Sequence, residues 1–224
     1  MKTVAFIPVK LNNERLPGKN IKELSDGTPL IQIILNKLLE LKGKDIDEIY
    51  VYCSDKSIIN YLPKGVEFLQ RPKSLDGKYV QGKSIYTEFY NTIDADIYVL
   101  AHATSPFVSK KHISECINKV KLGGYDSAFC AIKLQTFLWE NNKPLNFNIE
   151  YPPRTQDISP VFYELSTAYI FTKETFEKYH ARTGEKPYIC ECSAIESIDV
   201  DYPDDFEIAD AVHTMIKGKK NEQY

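Results

Sequence analysis

No apolar run in this sequence approaches the ~20 residues that a membrane-spanning helix requires, so no spanning segment is expected. Nor does a signal-like apolar stretch follow Met1-Lys2-Thr3; the chain passes straight into a short strand, and a cytoplasmic location is the expectation. Cysteines are few and odd in number: Cys53, Cys116, Cys130, Cys190 and Cys192. They lack the even framework of a disulfide-stapled fold and suit reduced thiols. Cys190-Glu191-Cys192 offers two soft ligands, but no second pair or nearby histidine completes a zinc set, and the alternation over Tyr188 to Cys192 suits a strand. No Gly-x-Gly-x-x-Gly follows the first strand, which argues against a dinucleotide cofactor. A long basic stripe is also missing and the net charge is −3, which argues against general nucleic-acid binding. An anionic ligand must therefore be met by local cations.

What is present reads as an ordinary globular chain, with 43% hydrophobic and 26% charged residues, long enough at 224 residues for one well-buried α/β domain. Thr3 to Val9 is a short apolar strand. Apolar residues at Leu30, Ile33, Ile34, Leu38 and Leu41 have helical spacing, with Pro29 suited to the first turn. Strands are then expected at Ile49 to Cys53, Val66 to Leu69, Ile97 to His102 and Ser127 to Ile132. Helices are expected at Ser84 to Ile93 and Lys110 to Val120, and Ser54-Asp55 is expected to cap a helix leading to Tyr61. This alternation implies a three-layer fold around a mostly parallel sheet with right-handed crossovers, in one domain over residues 1–224. The rhythm breaks between Leu134 and Pro160, so an insertion is placed at about 134–165; a floppy surface loop is the alternative. Phe162 to Phe171 restores a strand, Lys173 to His180 and Pro203 to Lys217 read as helices, and Lys217 to Tyr224 as a disordered tail.

Two segments carry chemistry. The first strand empties into a loop holding Lys10, Arg15 and Lys19, with Pro17-Gly18 between the last two. Glycine permits a tight turn and close backbone approach, and flanking cations neutralise a polyphosphate. The plain alternative is a polar loop with surface lysines. Near the other end, Asp199 and Asp201 are one residue apart, which on a strand aims both carboxylates to one face and turns Val200 into the core. Such hard oxygens suit Mg²⁺; the alternative is a pair of capping acids ahead of Pro203. Thr104-Ser105-Pro106 follows the strand at Ile97 to His102, at the carboxyl end where open α/β sheets bind ligands.

The loop resembles the signature of the cytidylyltransferases that activate acidic sugars, the CMP-N-acetylneuraminate and CMP-KDO synthetases. Arg15-Leu16-Pro17-Gly18-Lys19 is similar to the KDO branch and Lys19-Asn20 to the sialic acid branch. Further matches follow in the family's order: Arg71-Pro72 with Leu75, Thr104-Ser105-Pro106, Arg154-Thr155-Gln156-Asp157 with Pro160 and Tyr169, and Ile198-Asp199-Val200-Asp201 with Pro203, Asp205 and Phe206. The resemblance implies a Rossmann-like nucleotidyltransferase (GT-A-like) fold and transfer of CMP from CTP to an acidic sugar with release of pyrophosphate. It implies Mg²⁺ on Asp199 and Asp201, with Lys19, Arg15 and Asp201 as catalytic residues. Lys10, Asn20, Arg71, His102, Thr104 and Ser105 then serve the nucleotide, Arg71 at the cytosine. Arg154 and Gln156 serve the acceptor, and the insertion supplies an arm for a homodimer.

Three departures stand out. Lys10 replaces the family's arginine, His102-Ala103 its Gln-Pro, and Leu165-Ser166 the sialic acid branch's Asn-Gly. Imidazole cannot copy a primary amide's hydrogen bonds; a buried histidine satisfied by backbone is the other reading of His102. The altered pocket keeps another nonulosonic or ulosonic acid, or a phosphonate, open as acceptor. A metal-dependent glycosyltransferase and a catalytically silent nucleotide-binding module are the competing classes.

Overall fold

The computed structural model describes residues 1–221. In chain order it runs β1 (Thr3–Val9), α1 (Leu30–Leu39), β2 (Glu48–Cys53), β3 (Glu67–Gln70), α2 (Gly82–Thr92), β4 (Ile97–Ala101), α3 (Lys110–Leu122) and β5 (Ser127–Leu134). A two-residue hairpin, β6 (Trp139–Glu140) and β7 (Lys143–Pro144), is followed by β8 (Val161–Thr172), α4 (Lys173–Tyr179), β9 (Pro187–Glu191) and α5 (Pro203–Asn221). The main sheet is ordered β3-β2-β1-β4-β8-β5-β9, parallel throughout except for β8, which lies antiparallel to both β4 and β5.

Side chains along β1 alternate between two cores, as the two-residue period of a strand dictates. Ala5, Ile7 and Val9 join Ile34 and Leu38 of α1 and Ile113 and Ile117 of α3 on one face. Val4 and Phe6 meet Phe89 of α2 and Phe176 of α4 on the other. That is the expected three-layer arrangement. Chain order reverses between β1 and β4, so the loops leaving their carboxyl ends lie side by side with no crossover covering them.

A third cluster sits outside the sheet. Leu16 and Leu24 from the loop after β1 pack with Phe107, Val200, Phe206 and Ala209. Its burial draws the start of α5 against the N-terminal loop, and this packing decides the site.

Ile198 to Asp201 lies outside the strands and is tied to the loop after β4 by a backbone bond from Val200 N–H to the Thr104 carbonyl (2.8 Å). Lys217 does not begin a tail, because α5 continues through Asn221, with Ile216 against the third cluster and Lys217 paired to Asp26. The rest of the expected tail, 222–224, lies outside the described residues. Within the expected insertion, the β6–β7 hairpin is closed by its turn and its rings. Asn141 and Asn142 adopt positive φ (49° and 61°), the geometry of a type I′ turn. Phe147 meets Phe137 and Trp139 at ring separations of 4.4 and 5.4 Å, and the Asn146 side chain bridges Leu138 N–H and the Thr136 carbonyl.

Phe89 is the hub of the second core, stacked on Phe6 (4.0 Å, 7°) and met edge-on by Tyr50, Tyr52 and Tyr98. Phe89→Ala is expected to cost about 3–5 kcal/mol through lost transfer energy and a residual cavity. A urea unfolding curve whose midpoint moved by less than the equivalent of about 1 kcal/mol would contradict this packing.

Candidate active site

The loop after β1 is shaped by two buried anchors and one glycine. Leu16 plugs the third cluster, and Gly18 takes a left-handed conformation (φ 66°) that turns the chain into the short helical turn Lys19–Ile21. Lys19 is consequently buried, at 7% exposure, with its ammonium aimed across the molecule. It donates to the Val200 carbonyl (2.8 Å) and to Asp201 Oδ1 (2.7 Å). Arg15 takes the other oxygen, Asp201 Oδ2, at 2.7 Å, with its guanidinium over the Tyr202 ring. Asn20 is buried and donates to the Lys10 carbonyl (2.8 Å), closing the loop on itself. Basic residues near one end of the chain and acids near the other thus form one cluster.

The acids are held from three sides. Asp205 accepts from Asp201 N–H (3.0 Å) and Tyr202 N–H (2.8 Å) at the start of α5, the capping role its place in the sequence suggests. Buried Ser105 donates to the Ser166 carbonyl (2.9 Å) and approaches Asp199 Oδ1 at 3.4 Å, while Thr104 accepts from Val200. These two residues position the acidic segment, and neither lines the two cavities beside it. Glu196 fixes the preceding turn by accepting from Ser109 N–H and Ser193 N–H. It also bonds His112 Nδ1 at 2.8 Å, and that nitrogen faces Cys192 Sγ at 3.5 Å. A histidine therefore does stand beside the Cys190/Cys192 pair, contrary to expectation, with the three ligand atoms within 4.8 Å of one another. Cys116, Cys130, Cys190 and Cys192 are all part of the first core.

Electrostatics distinguish the two aspartates. Partial burial opposes ionisation of Asp201, but the Lys19 bond and charge and then Arg15 outweigh it, holding the carboxyl below its usual value. At Asp199 the surrounding protein and the Asp201 charge prevail over Thr104, Lys19 and Ser105 and raise the value. Two adjacent carboxylates, one of them short of positive charge, form a donor set suited to a small hard cation.

Two cavities adjoin this cluster. A groove of about 290 Å³ is lined by Lys10, Asn13, Glu14, Arg15, Lys19 and Lys78. A deeper cavity of about 300 Å³ is lined by residues including Lys10, Arg71, Lys78, Tyr86, His102 and Arg182. Lys10 and Lys78 belong to both, and Glu14 is the one acid in either lining. Three buried polar atoms without a partner belong to these linings: Asn13 Oδ1, Arg71 Nε and His102 Nδ1. Arg71 is held at its other end by Asp76 (2.6 Å). His102 is pushed down to about 4 by burial and by Arg182, so its ring is neutral near pH 7.

Arg154 and Gln156 do not join this assembly. They sit on an exposed turn, where Arg154 forks onto Asp157 (2.7 and 3.1 Å), and neither lines either cavity. Lys78 and Arg182, by contrast, line the cavities without having stood out in the sequence. Lys78 follows Gly77 in a polar connection, and Arg182 stands alone between α4 and β9; neither belongs to a spacing pattern.

Comparison with known proteins places the chain. The family model described as Cytidylyltransferase matches residues 4–198. N-acylneuraminate cytidylyltransferase B of Danio rerio is 27% identical over 218 residues, covering 92% of this chain and 50% of that protein. The 3-deoxy-manno-octulosonate cytidylyltransferase 2 of Hydrogenovibrio crunogenus is 29% identical over 133 residues, 58% of this chain and 51% of its own. The chain thus spans about half the length of these curated relatives. A solved CMP:2-keto-3-deoxy-manno-octonic acid synthetase complexed with CTP superposes with a TM-score of 0.71 at 16% identity, covering 96% of this chain and 99% of its own, and so shares the fold.

Because the folded Asp201 carboxyl is lowered, its contribution to stability is complete above the ordinary carboxylate value near ~4 and is lost as pH falls through the lowered folded value. The urea midpoints of the parent protein and Asp201→Asn should therefore differ near pH 7 and converge on acidification. A gap that widened towards low pH would contradict the assigned pairing.

Proposed function

The chain belongs to the cytidylyltransferase family, and we propose that it transfers CMP from CTP to a small acidic sugar, releasing pyrophosphate. The observation that carries this reading is the Lys19 ammonium, buried between a cation-lined groove and the Asp199/Asp201 pair. The acceptor hydroxyl attacks the α-phosphorus and loses its proton as the new O–P bond forms. The bond to the pyrophosphate oxygen breaks on the opposite side. Little covalent chemistry falls to the protein, so catalysis consists of positioning and charge neutralisation.

In this reading the triphosphate lies in the groove. Lys10, Arg15, Lys19 and Lys78 face the charge that grows on departing pyrophosphate. The base enters the deeper cavity, where Arg71 Nε is buried without a partner and a carbonyl acceptor would satisfy it. Asp199 and Asp201 would hold Mg²⁺, which would neutralise phosphate charge and favour ionisation of the acceptor hydroxyl. Lys19 and Arg15 are both held at Asp201, so the residues that would meet the phosphates and those that would hold the cation form one cluster.

The same reading includes a homodimer. Trp139, Ile149, Tyr151, Phe162 and Tyr163 are exposed on the insertion and the adjoining start of β8, a concentration of apolar surface that a second copy would cover. No helix among the described residues is long and apolar enough to cross a membrane.

Incubation with CTP, Mg²⁺ and a panel of sugar acids and phosphonates is expected to release pyrophosphate only when both CTP and an acid are present. Release of UDP or CMP from a sugar nucleotide would favour glycosyl transfer instead, and nucleotide binding without turnover a silent module. Lys19→Ala and Asp201→Asn should each lower kcat by about a hundredfold or more. Near-normal rates would remove that residue from the mechanism.

A further inference from the structure

We propose that Arg182 binds the carboxylate of the acceptor. This rests on the nucleotidyl-transfer reading above and supplies the guanidinium that the turn at Arg154 does not bring to the cavity.

The segment bearing Arg182 is fixed by its surroundings. His180 ends α4 in a left-handed conformation (φ 48°), turning the chain back over the sheet. Gly184 then passes so close to Asp126 that a Cβ there would lie 2.4 Å from a carboxylate oxygen. Gly184 N–H donates to Ser127 Oγ (2.9 Å) and Lys186 N–H to Asp126 Oδ2 (2.8 Å). Both flanks of Arg182 are therefore tied to the protein.

Its side chain is aimed as well as anchored. The guanidinium lies 3.6 Å from the centre of the Tyr169 ring, and one terminal nitrogen reaches Glu164 Oε1 at 3.3 Å. The Tyr169 hydroxyl donates to that same oxygen (2.6 Å). Stacking on a ring leaves the in-plane N–H groups of an arginine free to bond outward, and the single long contact with Glu164 engages one of five.

The ligand is inferred from what lines the deeper cavity with Arg182. No carboxylate lines it, and two of its lining residues hold buried polar atoms with no partner, Arg71 Nε and His102 Nδ1. Arg71 leaves the end of β3, whereas His102 leaves the end of β4 and meets Tyr169 edge-on. Arg182 stands over the same Tyr169. The cavity thus has one guanidinium for a base and a second, beside a neutral imidazole, for another ligand. Phosphate charge already has its own groove, and the planar fork of arginine matches a carboxylate in two parallel bonds. His102, unable to compete as a cation, is left to bond a hydroxyl next to that acid.

The test uses the full chain with saturating CTP and Mg²⁺, and N-acetylneuraminate and 3-deoxy-manno-octulosonate as probes. Arg182→Met and Arg182→Lys are compared, the latter retaining positive charge while losing the planar fork. Both should raise the KM for the acid, by about tenfold to a hundredfold for the methionine variant, with the KM for CTP unchanged. The unchanged CTP constant also reports a folded protein. An unaltered acid KM would remove Arg182 alone, and a CTP KM rising by the same factor would reassign it to the nucleotide, equally overturning the proposal. A parent enzyme that binds CTP but turns over neither probe nor any other acid of the panel would defeat the nucleotidyl-transfer reading first and this inference with it.

Discussion

The contact on which the site depends is that between Lys19 and Asp201, 182 positions apart in the sequence and joined at 2.7 Å with Lys19 buried. A buried ammonium is costly unless it is paired and hydrogen-bonded. Here Asp201 provides the charge and the Val200 carbonyl a further acceptor. The pair also needs the third apolar cluster, since Leu16 and Val200 enter it from either side. Packing brings the two segments together, and electrostatics then fixes their register. Arg15 completes the arrangement from a more exposed position, where its contribution is screened.

The same economy of charge runs through the cavities. The overall formal charge is −3, yet Lys10, Arg15, Lys19, Arg71, Lys78 and Arg182 converge on two adjoining spaces with Glu14 as the one lining acid. Such local concentration in a low-dielectric setting attracts anions without a generally basic surface. Unpartnered buried atoms at Asn13, Arg71 and His102 coincide with these spaces. Buried polar groups are rarely left unsatisfied, and in the proposed reading a bound ligand would satisfy these three.

Much of the fold was legible because hydrophobic periodicity and strand–helix alternation are local. The layers, the sequence of elements and the break after β5 all follow from that rhythm. Lys19 and Asp201 were legible as chemistry, through the Pro17-Gly18-Lys19 turn and the paired acids, but their mutual contact belongs to packing. The acidic segment lies across the Thr104 turn, where Val200 makes one bridging bond and no ladder, a placement that depends on packing. Arg154 stays outside both cavities of this chain because Asp157, three residues on, holds its guanidinium locally. Arg182 has no pattern at all; it matters because Gly184 and Asp126 fix its loop against Tyr169. His112 was missed beside Cys192 because their proximity depends on α3 covering the β5–β9 pair.

The central claim is that Lys19 and Asp201 act on the nucleotide as one unit. A double-mutant cycle on Mg²⁺-dependent CTP binding, using Lys19→Ala, Asp201→Asn and the combined variant, tests it most directly. A coupling energy of at least about 1 kcal/mol is expected, as for other residues in contact. Effects that simply add, within about 0.5 kcal/mol, would show two independent sites and contradict it.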